Sequence, residues 1–295
     1  RAERLIAESI ALRRTHRPEA TLEIAHSEVQ HADVLYRLGR LEDAGEALER
    51  SMPIMEASAR PIDLADALNV VAGLHLLRGE FEPARGALER SLELRRQVEA
   101  PPSGALAGLL NNLADAERGL NRIAEAETLD RRVLAMRRNL LGDDHPEVAT
   151  SLNNLSIDLF LLKRHDEAKT HLEEALSIWR KTLGPDHPNV ATAHNNLGEL
   201  AALLGRSNEA QERFERALDI WQRTLGPEHP DVAFALHNLA RLAAERGDRP
   251  SARSLYRRAL DLRQRVLPPQ HPNRLETEQA LAALEADGNA ARPTS

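Results

Sequence analysis

The chain is 295 residues long, carries 46 Asp and Glu against 39 Lys and Arg for a net charge of −7, and has no cysteine. The missing cysteines exclude disulfides, thiolate metal sites and cysteine nucleophiles. The acidic balance argues against a basic face for a nucleic-acid backbone. With aromatics at only 3%, the core must rest on Leu, Ala, Val and Ile, and alanine-rich contacts favour closely packed helices over sheets.

No apolar run approaches the roughly 18 residues of a membrane-spanning helix, and the first residues lack a signal peptide. We therefore expect a cytoplasmic protein with no membrane contact. Lys163, Lys169 and Lys181 are the only lysines, an arginine bias that fits a GC-rich bacterial genome.

Three series set the organisation. Loops recur at 42-residue steps as Leu141-Gly142-Asp143-Asp144-His145-Pro146, Leu183-Gly184-Pro185-Asp186-His187-Pro188, Leu225-Gly226-Pro227-Glu228-His229-Pro230 and Leu267-Pro268-Pro269-Gln270-His271-Pro272. Asparagine pairs keep the same step at Asn111-Asn112, Asn153-Asn154, Asn195-Asn196 and His237-Asn238. Small residues run through Ala2, Ala44, Ala84, Ala126, Ala168, Ala210 and Ala252, with one interval of 40. Such self-similarity is the signature of stacked supersecondary units.

In chain order, residues 1–14 (RAERLIAESIALRR) align with 167–180 (EAKTHLEEALSIWR), the second helix of a unit. The chain is thus expected to begin in mid-repeat, as a fragment of a longer polypeptide. Residues 1–104 are in phase but degenerate, with SARPIDLADA (58–67) and EAPPSGALAG (99–108) in place of the histidine loops. Residues 105–272 repeat regularly. Within them, 189–205 carries apolar positions at Val190, Ala193, Leu197, Leu200, Ala201 and Leu204, and 207–224 at Ala210, Phe214, Ala217, Leu218 and Trp221. Both are helical stripes. Gly205 marks the turn between them, as Gly39, Gly79 and Gly247 do elsewhere, where a left-handed residue closes the first helix. Gly198, Ala210 and Ala217 let the backbones approach closely. Residues 273–287 form a capping helix and 288–295 a frayed tail. The expected fold is all-α, a solenoid of six antiparallel helix pairs with a leading half-repeat.

The stretch ATAHNNLGELAALLGRSNEAQERFERALDIWQRTLGPEHPDVA (191–233) and its copies resemble tetratricopeptide repeats of the longer, kinesin-light-chain type. The resemblance implies a right-handed superhelix with a concave groove lined by the first helix of each pair. It also implies a protein- or peptide-binding scaffold rather than an enzyme. Long repeats of this type resemble those appended to bacterial signalling enzymes, so the alternative is a sensor or regulatory arm whose partner is another domain of the same polypeptide. Homo-oligomeric scaffolding is a third possibility, and the oligomeric state is open.

The histidine loops are better explained as punctuation than as metal sites. Neighbouring helices sit about 8–10 Å apart, too far for single histidines to share an ion at about 2 Å. A glycine can end one helix, and proline can start the next at its first position, with Asp186 or His187 capping it. No nucleotide-binding or hydrolase motif is present, and HLEEA (171–175) lacks the second histidine of a zinc-protease helix. No cofactor, metal or catalytic residue is therefore expected. The second asparagines (Asn112, Asn154, Asn196, Asn238) are expected to bond within the scaffold. The resemblance places Asn69, Asn111, Asn153, Asn195 and His237 on the groove face. Amides there can hold an extended peptide by donating and accepting, or pair with adjacent helices. Asp33, Asp115, Glu199 and Arg241 follow one turn further on, with Tyr36, Phe160 and Phe234 mapping to the same groove.

Overall fold

The computed structural model describes residues 2–98 and 102–290, and among these every regular element is an α-helix. There are fourteen: α1 Ala2–His16, α2 Thr21–Arg37, α3 Leu41–Ser58, α4 Pro61–Arg78, α5 Phe81–Gln97, α6 Gly104–Gly119, α7 Ile123–Leu141, α8 Pro146–Leu161, α9 His165–Leu183, α10 Pro188–Leu203, α11 Ser207–Thr224, α12 Val232–Glu245, α13 Arg249–Val266 and α14 Pro272–Ala290. A leading helix, six hairpins and a trailing helix follow one another along the chain, an all-α repeat fold. Two compact units divide at 136/137, inside α7. That boundary differs from the change in loop sequence at residue 104. α14 extends through residue 290, so 288–290 are helical rather than tail, and 291–295 lie outside the described residues.

Each hairpin turns by the same device. A residue one or two beyond the first helix lies in the left-handed region: Gly39, Gly79, Gly205 and Gly247 at φ 73–82°, and Asn121 and Lys163 at 62° and 61°. The next amide reaches back five residues, as in Arg40 N to Leu35 O at 3.0 Å and Arg164 N to Leu159 O at 2.8 Å. This closes otherwise orphaned carbonyls at the helix end. The sequence pattern missed Asn121 and Lys163, because the turn retains its geometry without glycine.

The joints between hairpins use a different device. Gly184 ends α9 at φ 91°, ψ 160°, a region open essentially to glycine alone and distinct from the left-handed helical one. His145 and His187 then cap α8 and α10 through Nδ1, which accepts from Glu147 N at 3.2 Å and Asn189 N at 3.1 Å. His229 and His271 accept likewise from Asp231 N and Asn273 N, both at 3.2 Å. Histidine, not the preceding acid, is the cap. The acids instead meet the last turn of the following hairpin: Asp144 with Lys181 at 2.6 Å, Asp186 with Arg223 at 2.9 Å, and Glu228 with Arg265. After Pro230 the helix begins two residues later, at Val232.

The two units have cores of their own. In residues 1–136, Ala44, Leu48, Met55 and Leu68 pack with Ala25, Ala32 and Leu35, and Ala84 and Leu88 with Leu109, Leu110 and Val133. In residues 137–295, Ala210 and Phe214 pack against Ala201 and Leu242, and Ala252 and Tyr256 against Ala240 and Leu284. Ala44, Ala84, Ala126, Ala168, Ala210 and Ala252 have no exposed surface at all. Gly198 faces Phe214 so closely that an added Cβ would stand 2.7 Å from its ring. The missing methyl makes room for the larger partner.

Lys163 is exposed, so its left-handed backbone is strain without a packing role. A non-glycine residue there carries about 1–2 kcal/mol, partly offset by the entropy that glycine loses on folding, about 0.5–1 kcal/mol. Lys163→Gly should raise stability by up to about 1 kcal/mol, read as a higher urea midpoint with unchanged slope.

Candidate functional site

The residues expected on the groove face fall in both units, and their side chains have distinct fates. In residues 1–136, Asn69 accepts from Asn112 Nδ2 at 3.1 Å. Asn111 donates to Asp115 at 3.4 Å, and Asp115 pairs with Arg118 at 2.5 Å. Asp33 pairs with Arg37 at 3.0 Å, beside which Tyr36 lies half-buried.

In residues 137–295 the asparagines form a ladder between hairpins. Asn196 Nδ2 donates to Asn153 Oδ1 at 2.8 Å, and Asn238 Nδ2 donates to Asn195 Oδ1 at 3.1 Å. The second asparagine of one hairpin thus binds the first asparagine of the hairpin before it. Asn153 and Asn195 are only 6% and 4% exposed. Asn195 Nδ2 is directed to Glu199 at 2.9 Å. Of the two uses open to these amides, pairing with adjacent helices is the one seen in the fold.

The ladder borders a cleft of about 380 Å³. Phe160 of α8, Glu199 and Leu203 of α10, and Phe234 of α12 line it, as do His237 and Arg241 of α12, with Asn238 beside them. Arg263 of α13 and Asn273 and Glu276 of α14 complete it. Phe160, Glu199, Phe234, His237 and Arg241, expected on one face, are therefore brought together. Leu203, Arg263, Asn273 and Glu276 were not expected. Arg263 falls 42 residues after Trp221, and Glu276 falls 42 after Phe234. The legible signals were an arginine series, Arg95, Arg137 and Arg263, interrupted by Trp179 and Trp221, and an acid after an aromatic.

The electrostatics of the cleft are set by burial. Glu199 accepts from Asn195 and Asn238, each at 2.9 Å. Burial holds its carboxyl above the usual range, a shift opposed by those two amides and by Arg241, and reinforced by Glu276. Arg263 is only 4% exposed. It donates to Thr277 Oγ1 and the Asn273 carbonyl, and its guanidinium stacks 5.4 Å from the Phe234 ring centre, a cation–π contact. Thr277 donates its proton to Asn273 O at 3.1 Å, so its oxygen can accept from His237 Nδ1 at 3.2 Å. The His237 ring meets Tyr256 edge-on at 5.3 Å. Burial, then Arg263 and Arg241, push the His237 pKa down to about 4, leaving the ring neutral at pH 7. Phe234 and Leu203 remain 38% and 53% exposed, an apolar wall over a polar floor.

Among the described residues no group of three or more His, Asp or Glu side chains is placed to hold a metal ion. Nor is any described helix long and apolar enough to cross a membrane.

A run of helix hairpins recurring on a 42-residue step defines a helical-repeat scaffold of the kind that serves protein interaction. The tetratricopeptide-repeat model matches residues 23–97, 105–169, 156–220 and 193–265, and the chain belongs to that family. No curated protein matches it. Among solved structures it is similar to BtubC (BKLC) from P. vanneervenii, at 25% identity and a TM-score of 0.56, over 79% of this chain and 92% of that one. It is also similar to a Podospora anserina kinesin-light-chain-type protein of nearly identical TPR-like repeats, at 24% identity and a TM-score of 0.53, over 70% and 97%. A Rap protein in complex with competence and sporulation factor matches at 12% identity and a TM-score of 0.60, over 91% and 77%. The last two likenesses concern the fold alone.

Asn153→Ala removes the acceptor of Asn196 and leaves a buried gap, so it should destabilise the chain by about 1–2 kcal/mol, measured by urea unfolding. The histidines give a second expectation. His194 is lowered to about 4 by burial and then by Arg213, Arg216 and Arg180, as His237 is by its own surroundings. A depressed folded-state pKa means that the unfolded chain binds more protons between about 6.5 and about 4. Stability should therefore be full above pH 6.5 and fall on acidification through that window, by on the order of 2 kcal/mol for each histidine at pH 5. Unfolding of His237→Gln at pH 7 and 5 should show a shallower loss.

Proposed function

We propose that the cleft between α8, α10, α12, α13 and α14 binds an amphipathic peptide segment of a partner protein, without catalysis. The observation that carries this reading is the exposed Leu203 and Phe234, with half-buried Phe160 beside them, above the buried Arg263 and the half-buried Glu199. Water-facing apolar surface of this kind gains about 25 cal/mol for each Å² that a ligand covers. Oriented charges beneath it supply direction and selectivity rather than bulk affinity. Two cations, Arg241 and Arg263, and two acids, Glu199 and Glu276, line the same space, so a segment carrying both an apolar side chain and backbone or side-chain polar groups suits it better than a purely charged one. Glu199 and His237 are engaged in scaffold hydrogen bonds, which makes them fixed contacts rather than proton-transfer groups. Membership of a repeat family with interacting members supports the reading at the level of the scaffold.

Peptides selected from a random displayed library on the full chain provide the test. They should bind the parent and lose about tenfold in affinity, about 1.4 kcal/mol, in the Leu203→Ala, Phe234→Ala double variant. Selected peptides that bind parent and variant alike would sink the cleft as the site.

A further inference from the structure

A second cavity in residues 137–295, about 240 Å³, lies between α9, α10 and α11 and shares no residue with the peptide cleft. Arg180, Arg216, Arg223 and His194 line it, with Asp186 and Asp219 at its edge. The two acids are already used: Arg223 holds Asp186 at 2.9 Å and Asp219 at 2.8 Å. Arg180 and Arg216 have no carboxylate partner among the described residues.

The preceding hairpin shows what the same two positions can hold. One hairpin earlier, Arg138 and Glu174 form an ion pair at 2.7 Å. A step of 42 residues carries those two positions onto Arg180 and Arg216. Two guanidiniums therefore occupy the places of a bonded cation and anion. Neither has a carboxylate of its own among the described residues, and an anion between them would supply the pairing that Glu174 gives Arg138. Arg213 adds a third positive charge and donates to His194 Nδ1 at 3.2 Å. That bond fixes the neutral tautomer, with the ring proton on Nε2. His194 is 4% exposed and borders the cavity, so its remaining polar atom is a preset neutral donor. The depressed pKa of this ring, with Arg213, Arg216 and Arg180 among its causes, agrees with the convergence of the three cations.

We propose that this cavity is an oxyanion site that takes a phosphate group, held between Arg180 and Arg216 with His194 donating from Nε2. Phosphate suits it because guanidinium forks match its oxygens in pairs and strengthen with its double charge. The cavity is also smaller than the roughly 300–1,000 Å³ typical of larger organic ligands. The group could arrive as free phosphate or on a phosphorylated side chain. Both present the same oxygens.

Calorimetry on the full chain at low salt separates these sources, using inorganic phosphate, a phosphoserine peptide and its unphosphorylated twin. Binding in either phosphate arm should weaken about tenfold or more in the Arg180→Gln, Arg216→Gln double variant. It should be unchanged in the Leu203→Ala, Phe234→Ala cleft variant. A response to phosphate alone identifies a free anion, a response only to the phosphopeptide identifies a modified partner, and both support the site. As an independent readout, the His194 ring titration followed by NMR should move up from about 4 when the anion is present. The proposal is overturned if neither phosphate arm binds, or if the double variant binds as tightly as the parent.

Discussion

At Ala44, Ala84, Ala126, Ala168, Ala210 and Ala252, a side chain of one carbon lets the second helix of a hairpin lie directly on its neighbours, and none of the six retains any exposed surface. A larger residue at any of these points would separate the helices and leave voids along both flanks, because interiors are packed nearly as densely as crystals. Much else follows from that approach. It limits the first helix to small residues opposite bulky ones, as Gly198 faces Phe214. It also demands a turn tight enough to return the chain within three residues, which the left-handed position supplies. Two of those positions, Asn121 and Lys163, hold the turn without glycine.

Close approach brings polar groups inside together with apolar ones, and buried amides must be bonded. The asparagine ladder answers this demand. Asn196 reaches Asn153, and Asn238 reaches Asn195, each bond linking one hairpin to the one before it. A hydrophobic stripe tolerates sliding, whereas a hydrogen-bonded amide pair favours one register. The ladder therefore adds specificity to a stack whose leucines and alanines supply the bulk of the burial.

The candidate sites arise where the repeat departs from itself. Arg263 returns to arginine, as at Arg137, after Trp179 and Trp221, Phe234 stands where Thr150 and Thr192 stood, and Glu276 follows Phe234 on α14. Those three changes turn a regular helix face into a cleft with an apolar wall and a charged floor. The Arg180–Arg216 pair is a related case in a different place, two arginines where the preceding hairpin holds Arg138 and Glu174. A regular solenoid offers a partner the same surface at every step, so recognition has to come from its irregularities.

The sequence alone determined the repeat, the helix pairs and the joints at the histidine–proline loops. These depend on periodicity, and a 42-residue step is visible in one dimension. Tertiary structure decided what each side chain does on its face. It turned Asn153 and Asn195 inward to the ladder, chose His187 over Asp186 as the helix cap, and brought Arg263, Asn273 and Glu276 into the cleft from helices with no groove expectation. The physical reason is that hydrogen bonds and ion pairs are settled by distances of a few tenths of an ångström between different hairpins. Helical spacing fixes direction but leaves those distances open.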